Sequence, residues 1–389
     1  MLDEKLKEFA TERQSEYIDA VNELGSTKAV AKKFNVGQRS VSNSIKLVKE
    51  KAARKGLSPD HGMNRPAPDG FFLPKTTVQV GPDGDVERAW HRYAIDDERQ
   101  QEIIKEAIAA LGENLPRLKP VRPPKQVSSE LANCYVVTDY HFGMMSWGEE
   151  TGGDWDLSIA ENLLVDWFAA SIAMSPDAEV GIFAQLGDFL HFDGLESVTP
   201  TNRHVLDADT RLQKLIRVVI RVVRRVIDML LAKHAKVHVL MAEGNHDLAS
   251  SAWLREWLAV MYENEPRITI DTNPDPYYCF EWGRTSLFFH HGHLKRQGSI
   301  DDVFAAKFRE VFGRTEFSYA HNGHLHHDKR VESNLMIMEQ HRTLASPDAH
   351  ASRGGWLSGR DAKVITYSKL HGEVARQTLT PEMVKGRAA

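Results

Sequence analysis

Cysteine is nearly absent: the chain of 389 residues holds two, Cys134 and Cys279. Each lies in or beside an apolar, strand-like run, so a disulfide framework is excluded as the organising device and buried thiols are expected. Also missing is any uninterrupted apolar stretch near the roughly 20 residues that span a bilayer. The opening Met1-Leu2-Asp3-Glu4-Lys5 lacks the apolar core of a signal peptide. A cytoplasmic protein with no membrane partner is therefore the expectation. Nor is there a strong excess of one charge; the formal net charge is -5, and its uneven distribution says more than its total. What is present, 42% hydrophobic and 26% charged residues, suffices for one large core and at least one smaller unit.

The first 56 residues read as helices. Glu12 to Leu24 places Tyr17, Ile18, Val21 and Leu24 at helical spacing, and Gly25-Ser26 ends it. A short helix over Thr27–Phe34 with Ser26 as N-cap, a turn at Asn35-Val36-Gly37 and a third helix over Ser40–Val48 complete a helix-turn-helix pattern. From Lys28 to Lys55 the residues Lys28, Lys32, Lys33, Arg39, Lys46, Lys49, Lys51, Arg54 and Lys55 face a single acid, Glu50. Such a cluster suits phosphate neutralisation, and Gln38, Arg39, Ser40, Ser42, Asn43 and Lys46 would lie where a recognition helix meets base edges. A protein-docking or oligomerisation module with a solvated basic face is the competing reading. Residues 57–128 form a Pro/Gly-rich connector, with a small hairpin of Thr76–Val80 and Val86–Trp90 and an amphipathic helix over Asp96–Leu111.

The third segment, residues 129–380, precedes a short tail over 381–389 and carries the chemistry. Five apolar, strand-like runs each end in a polar cluster: Asp139-Tyr140-His141, Gly187-Asp188-Phe189-Leu190-His191, Gly244-Asn245-His246-Asp247, His290-His291-Gly292-His293, and Gly323-His324-Leu325-His326. A glycine directly after a strand lets the chain turn sharply, and residues two apart on extended chain share a side, so Asp139 and His141 can approach one ion. Asn245 offers a carbonyl oxygen to a metal, and His246 exchanges a proton near neutral pH. Between the second and third clusters, Arg211–His234 reads as a long amphipathic crossover helix. Periodicity alone supports an α/β fold of strand-loop-helix order.

The ordered set resembles the calcineurin-like metallophosphoesterases, whose motifs run D-x-H, G-D-x-x, G-N-H-D/E, H-G and G-H-x-H. That resemblance implies a sandwich of two mixed β-sheets flanked by helices, here with a small all-α helix-turn-helix domain in front. It implies a first metal on Asp139, His141, Asp188 and His326, and a second on Asp188, Asn245, His291 and His324. His246 takes the place of the catalytic histidine, with Asp247 setting its orientation. His291 is chosen over His290 because it directly precedes Gly292. Two divalent ions neutralise phosphodiester charge and acidify a bridging water for attack on phosphorus. Oxygen and nitrogen donors without thiolate favour manganese, iron or zinc over a thiolate-type structural zinc site; manganese is the preferred expectation, with iron, zinc or magnesium as alternatives.

The absence of Asp-Arg-Gly after the second motif argues against a protein phosphatase. Gly-Asp-x-x-His with Gly-Asn-His-Asp is similar to DNA repair nucleases of the SbcD type, in which the histidine at the position of His191 lines the site. A hydrogen bonder behind the ligands is the other reading of His191. The added N-terminal module resembles the arrangement of bacteriophage phosphoesterases, which would act in the host cytoplasm. The expected function is a two-metal nuclease, with DNA before RNA as partner. A homo-oligomer and repair or replication proteins are compatible further partners. Arg203 and His204 are substrate-binding candidates on the loop after the second motif, and His350 and Arg353 are fainter ones. A small-nucleotide phosphodiesterase or phosphomonoesterase, and a DNA-binding regulator on a non-catalytic scaffold, are the alternatives.

Overall fold

The computed structural model describes residues 2–58, 63–64, 71–80, 86–95, 121–200, 204–295 and 298–384. The chain divides into two compact units, Met1–Ala109 and Ala110–Ala389.

In the first unit, helices α1 (Glu12–Leu24), α2 (Thr27–Lys33) and α3 (Gln38–Arg54) pack around Tyr17, Ala20, Val30, Val41 and Ile45. Local chemistry sets their ends. Thr11 and Gln14 form a reciprocal capping box on α1, Gly25 closes it in the left-handed region, and Ser26 caps α2 through Ala29 N. Helix α3 is longer than the expected Ser40–Val48 at both ends, because buried Val41, Ile45, Val48 and Ala52 continue its apolar stripe. Gln38, Arg39, Ser40, Ser42, Asn43 and Lys46 are all exposed on its first half. Strands β1 (Leu57–Ser58) and β2 (Met63–Asn64) pair, as do β3 (Phe71–Val80) and β4 (Val86–Ile95), which extend the expected hairpin to ten residues a side. Residues 81–85 and the helix expected over Asp96–Leu111 lie outside the described residues.

The second unit is built on two mixed sheets flanked by helices. Strands β5 (Ser128–Val137), β6 (Ala178–Gln185), β7 (Lys236–Met241) and β8 (Ile268–Ile270) run parallel. The C-terminal strands β14 (Ala362–Ser368) and β15 (Gly372–Leu379) return antiparallel beside β5, giving the order β15-β14-β5-β6-β7-β8. The second sheet takes β9 (Tyr278–Trp282), β10 (Thr285–Phe289), β11 (Phe317–Asn322), β12 (Lys329–Glu332) and β13 (Ile337–Gln340) in the order β12-β13-β11-β10-β9. Parallel neighbours need crossovers, supplied by α4 (Leu157–Met174), α5 (Leu212–Lys233) and α6 (Leu248–Met261). All of β5, β6 and β7 therefore end on one edge, where loops of an open α/β sheet gather ligands.

Side-chain alternation assigns the layers. Ala132, Cys134 and Val136 of β5, Val180, Ile182 and Ala184 of β6, and Leu287 and Phe289 of β10 share the core between the sheets. Tyr135, Val137 and Phe183 point the other way into the core under α4 and α5, while Phe288 of β10 packs outward with Ile300 and Phe304. Cys134 is buried and Cys279 half-buried, both as free thiols. Helix α5 buries Leu215, Val219, Val222, Val226 and Leu230 and exposes Arg217, Arg221 and Arg225. Helix α4 is long and apolar enough by length and composition to cross a membrane. Its Leu163, Leu164, Trp167 and Phe168 are buried in the protein core.

His234, directly after α5, is wholly buried: its Nδ1–H donates to Ala178 O at 2.8 Å and its Nε2 meets Tyr135 OH at 2.9 Å. Gly181 makes room for the ring, since a Cβ there would lie 2.4 Å from His234 Cδ2. Burial lowers His234 to about 4, below the ordinary value of about 6.5. The folded state thus keeps His234 neutral while the unfolded chain takes up a proton below pH about 6.5, so this contribution is intact above that pH and is lost as pH falls toward 4. The stability lost should reach about 3 kcal/mol. Denaturation of the wild type and His234→Gln at pH 7, 5.5 and 4 should show a shallower acid loss in the variant; parallel profiles would contradict this assignment.

Candidate metal centre

Strand ends deliver the five polar clusters to one place. Asp139, His141 and His326 form one group whose ligand atoms lie within 4.8 Å of one another, and Asp188, His291 and His324 form a second. His326 Nε2 is 3.1 Å from Asp139 Oδ1, and His291 Nε2 is 3.1 Å from Asp188 Oδ2. The groups adjoin, because His291 Nε2 also lies 3.9 Å from Asp139 Oδ1. Asn245 joins the second group, its Oδ1 at 3.3 Å from His291 Nε2.

Backbone geometry marks the same residues. Six non-glycine residues among those described have positive φ, and five of them are Asp139, His141, Asp188, His324 and His326, at +49° to +71°. Each left-handed residue costs of order 1–3 kcal/mol, held here by the surrounding hydrogen bonds. Asp139 N donates to Gly187 O and His141 N to Asp188 O, both at 3.0 Å, lacing the first two loops together. Gly244 serves this lacing differently from the sharp turn expected of it. Its φ is not positive; rather, a Cβ would fall 2.0 Å from Asp188 Oδ1, so glycine is needed for close approach. Gly323 does the same against Thr138 Oγ1 and Asp139 Oδ2.

The electrostatics call for positive charge. His291 Nδ1–H donates to Leu186 O at 2.9 Å, which leaves Nε2 facing oxygens of Asp188, Asn245 and Asp139. A lone pair among three acceptors is repulsive, so Nε2 requires either a proton or a cation between them. Burial opposes a charged His291, but Asp188 and then Asp139 outweigh it and push the imidazole up to about 10. Burial would raise both carboxylates as well, yet the neighbouring histidines hold them low: His326 and His291 for Asp139, His291 first for Asp188. Buried, ionised oxygens and imidazoles without thiolate fit hard or borderline divalent ions.

His246 stands beside this set. Its ring centroid is 4.8 Å from that of His141, and its Nδ1–H donates to His191 O at 2.7 Å, which leaves the Nε2 end of the ring unspent. Orientation therefore comes from the His191 carbonyl, correcting the expectation for Asp247. Asp247 is 1% exposed, and its carboxylate accepts from Phe189 N, Leu190 N and Gly244 N at 2.7, 3.1 and 2.9 Å. It is a positioning residue that ties the second and third loops, and burial followed by the charge of Asp188 raises its pKa. His191 is also buried; its Nδ1 lies 3.3 Å from His141 Nδ1 and its ring stacks on His246 at 5.4 Å. His141, His191 and His246 make a further group close enough to hold an ion.

Strand alternation separates the adjacent histidines: His291 faces Asp188, whereas His290 stacks on Tyr277 at 4.5 Å and accepts from Gly292 N. A fourth buried group, His321, Glu339 and His341, is occupied by its own contacts. Lys363 and Arg376 pair with Glu339, and His321 bonds both His341 and Tyr367. His204 is exposed and its carbonyl accepts from Thr199 N, and Arg203 lies outside the described residues. Three supporting residues went unmarked in the sequence. Thr138 Oγ1 donates to Asp139 Oδ2 at 2.5 Å, Thr343 Oγ1 to Asp139 O at 2.7 Å, and Asp193 accepts from Ala249 N and Ser250 N at the start of α6. Only Thr138, beside its partner, carried a local signal.

No family model and no curated protein matches the chain. Among solved structures it is similar to Yfce, a phosphoesterase from E. coli, at 12% identity and TM-score 0.31 over 63% of this chain and 98% of that one. An archaeal phosphodiesterase matches at 14% identity and TM-score 0.33 over 64% and 99%. The 5'-nucleotidase of Candida albicans matches at 10% and 0.34 over 68% and 54%. Likenesses this faint carry no weight alone, and the chemistry of the centre rests on its own side chains.

Proposed function

We propose that the second unit is a divalent-metal-dependent phosphodiesterase of the calcineurin-like metallophosphoesterase type, that nucleic acid is its substrate, DNA before RNA, and that α1 to α3 bind that substrate. One observation carries the reading: two adjoining groups of buried carboxylates and imidazoles, Asp139-His141-His326 and Asp188-His291-His324, with His246 held beside them by a backbone carbonyl. Asp188 is the candidate bridge between the two ions, by the resemblance, while Asn245 would complete the second site. Manganese is the preferred ion. Bound divalent ions would neutralise phosphodiester oxygens and acidify water at neutral pH.

The chain's own residues supply the rest. Asp139 and Asp188 keep their charge because histidines surround them, and backbone hydrogen bonds between the loops hold them in place. His246, with Nδ1–H fixed on His191 O, presents Nε2 to protonate the departing alkoxide. The exposed, base-rich α3 suits phosphate neutralisation and base contact by Arg39, Asn43 and Lys46.

Three outcomes are expected. Purified protein with manganese should cleave labelled linear, circular or single-stranded DNA as well as bis-p-nitrophenyl phosphate; cleavage of the small diester with all DNA and RNA intact would leave a small-nucleotide enzyme, and no cleavage with any divalent metal would leave a binding scaffold. His246→Ala should lower turnover by about 100-fold or more with metal content unchanged by atomic absorption, and metal loss in that variant would overturn its assignment. In full-length protein, Arg39→Ala with Lys46→Ala should weaken DNA binding and flatten its salt dependence by about one unit of slope per lost phosphate contact; an unchanged slope would remove α3 from the interface.

A further inference from the structure

Two loops above the first metal group form an ordered apolar shelf. The segment after His141 exposes Met145 and Trp147, the latter 61% exposed, and the segment after β13 exposes Trp356 at 53% and Leu357 at 83%. Exposed tryptophan in pairs is uncommon on a surface that serves only solubility. Hydrogen bonds hold the two segments side by side: Ser146 Oγ to Pro347 O at 2.8 Å, Ser346 Oγ to Gly153 O at 2.7 Å and Ser352 Oγ to Glu150 O at 2.8 Å. Both segments leave from the metal centre, the first directly after His141 and the second through Thr343, whose Oγ1 donates to the carbonyl of Asp139. Trp356 is fixed from one side, by His350 edge-on at 5.0 Å and by Gly354, where a Cβ would lie 2.9 Å from the indole.

We infer that this shelf stacks an unpaired nucleobase of the strand whose phosphodiester reaches the metals, so that the enzyme selects single-stranded or frayed nucleic acid; the inference rests on the nuclease reading above. Charge decides the occupant. The arginines of the second segment are committed: Arg353 to the Glu150 carboxylate at 2.7 and 3.0 Å, Arg360 to Leu344 O, and Arg342 to Asp361. Among the described residues of this segment, two arginines are thus neutralised by carboxylates and the third is turned onto a carbonyl, so the flat rings beside the phosphodiester centre suit a base rather than its phosphate. Glu149, exposed on the first segment beside Trp147 in sequence, repels phosphate and leaves it to the metal side. A paired base shows its face only at a duplex end, so stacking here requires an unpaired or frayed one.

The test compares oligothymidylate with an abasic oligonucleotide of equal length, both cleaved by full-length protein with manganese. Trp147→Ala and Trp356→Ala should each raise KM for oligothymidylate about tenfold, leave kcat within twofold, and leave KM for the abasic strand unchanged. Trp147→Phe and Trp356→Phe, which keep a ring, should retain most of the wild-type KM. An equal rise on the abasic strand, or no rise on either, overturns the inference while the nuclease reading stands. A change of oligomeric state in the alanine variants with KM unchanged also overturns it, making the shelf a contact between copies. A wild type that hydrolyses bis-p-nitrophenyl phosphate but neither strand removes the nuclease reading and this inference with it.

Discussion

Buried oxygen charge is the constraint around which the second unit is arranged. Asp139 and Asp188 are shielded from water, 0% and 2% exposed, yet held ionised by imidazoles on four separate loops. Isolated, each would neutralise on burial; together with His291 and His326 they form a set that is stable only with positive charge among them. The left-handed backbone at five of these residues, the glycines that permit close approach, and the backbone donors spent on Asp247 all serve that set.

The fold explains how such a set can be assembled. Parallel strands β5, β6 and β7 end on one edge, and the crossover helices carry the chain back without entering the site. The second sheet brings β10 and β11, also parallel, to add His291, His324 and His326. The apolar core between the sheets fixes both edges against each other, so the distances between ligands are set by side chains well away from the chemistry. His246 illustrates the division of labour: its ring is held by the His191 carbonyl and its backbone N–H by Asp188, while Asp247 ties the loops on either side of it.

Much of this was legible in the sequence because each signal was local. Helices α1 and α2 declare their ends through Gly25 and Ser26, and the strands that lead into the clusters are apolar or aromatic runs followed by aspartate, asparagine or histidine. The residues that gather into the two groups could be named because five polar clusters occur in order, each at a strand end. Long-range relations were not legible. Nothing near Ala362–Ser368 says that this strand inserts beside β5, and nothing near Asp247 says that its carboxylate serves Phe189 and Leu190, 58 and 57 residues away. Gly244 was visible as a glycine but not as the residue that makes room for Asp188. The shelf was hidden for the same reason, since the segments that carry Trp147 and Trp356 are joined only by hydrogen bonds between loops distant in sequence.

The claim on which everything turns is that Asp188 is shared by two bound ions. Equilibrium dialysis against manganese, with metal counted by elemental analysis, tests it most directly. The account predicts two ions per wild-type chain and fewer than one per chain of Asp188→Asn at the same free manganese concentration, with the variant still folded. A wild type that binds one ion or none, or a variant that still binds two, would contradict it.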